Sequence, residues 1–106
     1  MNEQEFKDRS EKVLHAIEEA LEHCNVDMDF EWQGDGVLEI CFEDHSKIIV
    51  NRHSAAQEIW VAARAGGFHF KHEGGTWVDT RDAQPLAQKL SALVSQQAGA
   101  TVNLLF

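Results

Sequence analysis

The chain has 106 residues, 43% of them hydrophobic, which sets it as one domain with a single core and excludes wholesale disorder. Its net charge of −9 is unevenly placed: residues 1–50 hold 14 acids and 4 bases, net −10, and residues 51–106 hold 4 acids and 5 bases, net +1. Such a first half excludes nucleic acid and anionic membrane as its partners and points to a cation or a basic protein surface.

The first 24 residues read as an amphipathic helix. Phe6, Val13, Leu14, Ile17, Leu21 and Cys24 recur at three- and four-residue spacing, and Asn2 stands three residues before Glu5 in a capping-box relation. Glu11, His15, Glu18 and Glu22 share the opposite face, with Glu19 at its border. Asn25 ends the helix, and Val26–Gln33 then alternates as a strand. Val26, Met28, Phe30 and Trp32 point one way; Asp27, Asp29, Glu31 and Gln33 point the other.

Gly34-Asp35-Gly36 predicts a hairpin turn into a second strand, Val37–Phe42. Glu43-Asp44-His45-Ser46 turns the chain into a third, Lys47–Asn51. Gln57–Ala63, Phe68–Lys71 and Thr76–Thr80 follow as three more short strands, separated by glycine-containing turns. A helix from about Pro85 to Ala98 carries Leu86, Leu90, Leu93 and Val94 as its stripe, with Asp82 as the candidate cap and Gly99 as the stop. The tail Thr101–Phe106 is expected to pack back on the helices.

This order predicts an α+β two-layer sandwich, with the N- and C-terminal helices on one face of an antiparallel sheet of about six strands, as one domain over residues 1–106. Two helices cover only one sheet face. Periodicity alone leaves Trp60 as core or interface, and the uncovered face tips it to an interface. His69, between Phe68 and Phe70, reads as a satisfied structural histidine. Cys24 and Cys41 form no C-x-x-C pair and read as buried free thiols. No segment approaches the ~18 apolar residues of a membrane span, and no basic-plus-apolar signal pattern opens the chain, so a cytoplasmic location is expected.

Between Lys12 and Lys47 there are ten carboxylates and no lysine or arginine. The helix row and the strand row of acids should adjoin as one ridge, whose mutual repulsion costs stability. Open carboxylates suit hard, oxygen-preferring cations and bind them weakly, several ions sharing ligands. His15 and His23 lie on or near this ridge, as added nitrogen ligands or as ordinary exposed residues. A buried di-iron centre would need inward Glu-x-x-His pairs on several helices, and only two helices are predicted. No nucleophile elbow, phosphate loop or Ser–His–Asp set appears, so no enzyme is predicted.

The ordered set Ile17-Glu18-Glu19-Ala20-Leu21-Glu22, Gly36-Val37-Leu38, Ser46 to Arg52, Gln57-Glu58-Ile59-Trp60-Val61-Ala62, Gly66-Gly67-Phe68-His69-Phe70, Trp77 and Gln96-Gln97-Ala98-Gly99 resembles the frataxins, in their bacterial form, over nearly the full length. The resemblance implies two helices on an antiparallel sheet, weak binding of Fe2+ and Fe3+ on the acidic ridge, and regulation of iron–sulfur cluster assembly. By position the ridge is Glu18, Glu19, Glu22, Asp27, Asp29 and Glu31, with Glu11 and Glu43 at the margins. Glu18, Glu19 and Glu22 are further implied in docking on the cysteine desulfurase, and Trp60 in contact with the scaffold protein. The protein is expected to be a monomer that iron can draw into oligomers.

This chain departs from the family pattern at four places: His53-Ser54-Ala55 replaces Gln-x-Pro, Glu58 replaces Gln, Ala63 replaces Ser or Thr, and His23 replaces a common acid. Two function classes follow. One is a non-enzymatic iron-binding regulator that docks on a desulfurase; the other is a metal-independent acidic adaptor that binds a basic protein surface.

Overall fold

The computed structural model describes residues 1–106 as two helices and six strands. Helix α1 (Glu3–Glu22) opens with the predicted capping box: Asn2 Oδ1 accepts the Glu5 N–H at 2.8 Å, and Glu5 Oε1 accepts the Asn2 N–H at 3.5 Å. Strands β1 (Asp29–Trp32), β2 (Val37–Cys41), β3 (Lys47–His53), β4 (Glu58–Ala63), β5 (Gly66–Glu73) and β6 (Thr76–Asp79) form one antiparallel sheet in sequential order. Helix α2 (Leu86–Ala98) closes the fold. No helix is long and apolar enough to cross a membrane.

Both helices lie on one face of the sheet. Phe6, Leu14, Ile17 and Leu21 from α1 meet Leu86, Leu90, Leu93 and Val94 from α2 above Leu38, Ile40, Ile48, Val50, Ile59, Val61, Phe70 and Trp77. Period 3.6 in the helices and period 2 in the strands put these residues on the facing surfaces. The tail packs back as expected over Val102 and Leu104, which are buried, while Leu105 is exposed. Two serines of α2 hold it: Ser95 Oγ accepts the Val102 N–H at 2.8 Å, and Ser91 Oγ accepts the Leu104 N–H at 2.9 Å.

Three expectations are corrected. The first strand begins at Asp29, not Val26, because its partner ends at Cys41, opposite Asp29. Beyond that pair the chain curls into the β2–β3 turn, and Val26 and Met28 pack against the core without a ladder. Asp82 does not cap α2, whose first turn follows Pro85 with no side-chain cap. Instead Asp82 accepts the Gln84 N–H at 3.0 Å and the Lys89 ammonium at 2.7 Å. Cys24 and Cys41 are free but only half-buried. Cys24 Sγ sits 3.0 Å from the Val26 carbonyl, while burial and the neighbouring Glu39 carboxylate push the Cys41 thiol up.

Candidate functional site: an acidic edge and a ringed tryptophan

The predicted ridge is real in composition but divided in structure. Its bases come from outside the lysine-free stretch. Arg52, with a side chain only 10% exposed, reaches Asp35 at 2.6 Å and Glu11 at 3.3 Å. Arg64 reaches Asp44, and Lys47 reaches Glu39 at 3.0 Å. The Asp44 carboxyl is held below its ordinary range by the Ser46 hydroxyl and N–H and then by Arg64; the hydrogen bond from Lys47 likewise lowers Glu39. Glu11, a marginal ridge residue, is thereby a clasp between α1 and the β1–β2 turn, around a cleft of about 330 Å³ that His15 and Trp32 also line.

Glu18 is also engaged. Trp32 donates its indole N–H to Glu18 Oε2 at 2.7 Å, and His15 Nδ1 lies 3.4 Å from Oε1. The imidazole of His15 leans on the same indole, ring centroids 5.3 Å apart. A ridge ligand by sequence is thus the anchor that ties α1 to β1. Replacing Trp32 by phenylalanine keeps an aromatic ring but deletes this bond and part of the indole's packing, so a stability loss of at least about 1 kcal/mol is expected in urea denaturation. A variant as stable as the parent would show that the bond contributes nothing.

The remaining carboxylates are exposed. Glu19, Glu22, Asp27, Asp29 and Glu43 make no side-chain hydrogen bond or ion pair, and Glu31 accepts only the Gln33 side chain at 2.8 Å. Asp27, Asp29 and Glu43 gather round a cleft of about 440 Å³ at the C-terminal end of α2, beside Cys41 and Asp44. That end of a helix carries partial negative charge and adds to the cation preference. Glu19 and His23 instead border a groove between α1 and the tail, so Glu19 lies on the flank away from β1. Glu31 stands opposite Glu39 on the sheet edge. No three His, Cys, Asp or Glu side chains converge closely enough to hold one ion.

On the sheet face turned away from the helices, Ile59 and Val61 point inward and Trp60 outward. Trp60 lies between two imidazoles: His53 at 3.8 Å between centroids with an interplanar angle of 11°, and His69 at 4.4 Å with 8°. Its N–H is donated to Glu58 Oε1 at 2.8 Å. His69, read from the sequence as a satisfied structural histidine, packs at the surface against Trp60. Its side chain is 47% exposed, because alternation in β5 sends Phe70 inward and His69 out. Reading by sequence missed Arg52, Trp32 and His53, whose roles depend on which residues stand opposite one another.

Comparison with known proteins then bears on the whole chain. A family model for a frataxin-like domain matches residues 1–100. An iron-sulfur cluster assembly protein CyaY from Dechloromonas aromatica is 59% identical over 104 residues, covering 98% of this chain and 99% of that one. The corresponding protein from Herminiimonas arsenicoxydans is 49% identical over 108 residues, covering 98% and 96%. Among solved structures, a frataxin from Psychromonas ingrahamii superposes with a TM-score of 0.90 at 31% identity over 100% of both chains. A trimeric frataxin from the yeast Saccharomyces cerevisiae, complexed with ferrous iron, shares the fold at a TM-score of 0.58 and 23% identity, over 93% and 88%.

Proposed function

The chain belongs to the frataxin family, and on that premise we propose that it acts in iron–sulfur cluster assembly as an iron-binding regulator rather than as an enzyme. Iron, ferrous or ferric, is its cargo or signal, held weakly on Glu19, Glu22, Asp27, Asp29, Glu31 and Glu43, with Glu11 and Glu18 reached only by breaking their present contacts. The same acidic surface docks on the cysteine desulfurase, and Trp60 meets the scaffold protein. The protein works as a monomer that iron can bridge into oligomers.

One observation carries this reading: the exposed carboxylates Glu19, Glu22, Asp27, Asp29, Glu31 and Glu43, none with a basic partner, run from the last turn of α1 through β1 to the β2–β3 turn. These donors fit the cargo. Carboxylate oxygens suit hard cations, and without three convergent ligands an ion keeps much of its water and binds loosely. Other divalent cations are then expected to compete.

Anaerobic titration of ferrous iron into ¹⁵N-labelled protein should broaden amides from Glu19 to Glu31 and at Glu43. Divalent ions should also raise Tm more than sodium chloride does at equal ionic strength. The variant E19Q/E22Q/D27N/D29N/E31Q should lose both responses. Equal responses to both salts would mean screening alone and would sink the metal reading.

The lack of a three-ligand cluster favours a second reading, the metal-independent acidic adaptor. Paired exchanges separate the two: Glu22→Gln with His23→Glu, and Glu31→Gln with Gln33→Glu, keep the charge and move the ligands. The regulator reading expects altered iron broadening with desulfurase affinity retained. Unaltered weak broadening together with unaltered docking would leave the adaptor.

A further inference from the structure

We propose that His53 and His69 are positioning residues for Trp60: they clamp the indole so that it is presented to its partner in one orientation, by its free ring edge. This rests on the reading that Trp60 meets the scaffold protein. The clamp is built from three strands. Asn51, Trp60 and His69 are direct cross-strand neighbours on β3, β4 and β5, and His53 pairs with Glu58 at the end of the β3–β4 hairpin.

Two of the three rings are tethered by a hydrogen bond. The Ala56 N–H donates to His53 Nδ1 at 3.2 Å and fixes that imidazole to the turn. Glu58 takes the indole N–H at 2.8 Å, and the same Oε1 lies 3.6 Å from His69 Nδ1. Both faces of the indole and its N–H are therefore taken, which leaves the edge of the benzo ring for a partner.

A lone tryptophan on an open sheet face samples several rotamers and loses them on docking; a clamped one has lost them already, so association costs less. The stack also explains the placement of two imidazoles in the open. Neither helix packs on this face, and the three rings shield one another there.

The test uses the full chain and the scaffold protein, with affinity measured by calorimetry for the parent, W60A, H53A/H69A, H53F/H69F and the triple variant with W60A. The clamp predicts that H53A/H69A weakens binding about threefold to tenfold, the range expected for freeing one side chain. It predicts that H53F/H69F, which restores two flanking rings, stays within about twofold of the parent. In the W60A background, deleting both imidazoles should change nothing further. Parent-like binding of H53A/H69A, where W60A is weakened, would overturn the clamp alone. Parent-like binding of W60A would overturn the scaffold reading and the clamp with it. An equal loss on deleting the imidazoles with or without Trp60 would make them direct contacts and not positioners. Circular dichroism of each variant guards against misfolding, and the Trp60 indole N–H resonance in H53A/H69A reports directly whether the ring has been released.

Discussion

Gly36→Ala is expected to destabilise the protein by about 3 kcal/mol, far more than the same change two residues earlier. Gly34 and Gly36 both have positive φ, +72° and +78°, so an alanine at either is strained by about 1 kcal/mol. Their surroundings differ. A Cβ at Gly34 meets nothing within 4 Å, whereas one at Gly36 would lie 2.8 Å from Arg52 Nε and 3.1 Å from its Cγ. The guanidinium cannot simply swing aside, because it holds Asp35 and Glu11 and its side chain is 90% covered. Moving it leaves a largely buried cation short of partners, which adds about 2 kcal/mol. Urea denaturation of both variants measures the difference; equal losses at positions 34 and 36 would show that Arg52 yields freely.

The second large effect is expected at Asp79, which is only 3% exposed. Its Oδ1 accepts the Arg81 N–H at 2.7 Å, and its Oδ2 lies 3.3 Å from Lys89 Nζ. Its backbone closes the same loop: the Asp79 N–H reaches the Gln84 carbonyl and the Ala83 N–H returns to Asp79. Asp79→Ala therefore removes a buried carboxylate, leaves the Arg81 N–H without its acceptor and Lys89 without one of its two partners, and loosens the loop that launches α2, at a cost of about 3 kcal/mol. Lys89 keeps Asp82 at 2.7 Å, and the hydrogen bond it donates to Asp82 raises the lysine above its ordinary range. Asp82→Ala, at the exposed end of the same lysine, should cost less than about 1 kcal/mol. A loss at Asp79 no greater than at Asp82 would contradict this account.

The fold was legible because two periods are written into the chain. Phe6, Leu14, Ile17 and Leu21 recur on a helical beat, and Leu38-x-Ile40 and Ile59-x-Val61 on a strand beat, and all are buried. Element ends were less legible. The alternation of Val26 and Met28 reads as strand, yet a strand needs a neighbour, and the register with β2 stops at Asp29.

The acidic site was legible as composition and not as pairing. A stretch empty of bases says nothing about Arg52 and Arg64, which arrive from later in the chain to take Glu11, Asp35 and Asp44. Nor does helical spacing reveal that Glu18 faces an indole N–H. Trp60 was legible as outward-facing because one sheet face had no helix to cover it. Its two imidazoles were not, since His53 and His69 become its neighbours only through the β3–β4–β5 register.

Because the strands pair in the order in which they are made, with connections of two to five residues, the sheet has a low contact order and can zip hairpin by hairpin within milliseconds. Helix α1 is different: it is made before the strands, yet its apolar stripe must wait for partners as distant as Trp77, whose ring Phe6 meets. Its docking is thus a late step, with contacts sparse in the folding transition state. A cation or protein gripping the junction of α1 and β1 should then act chiefly by slowing unfolding, leaving the folding rate almost untouched.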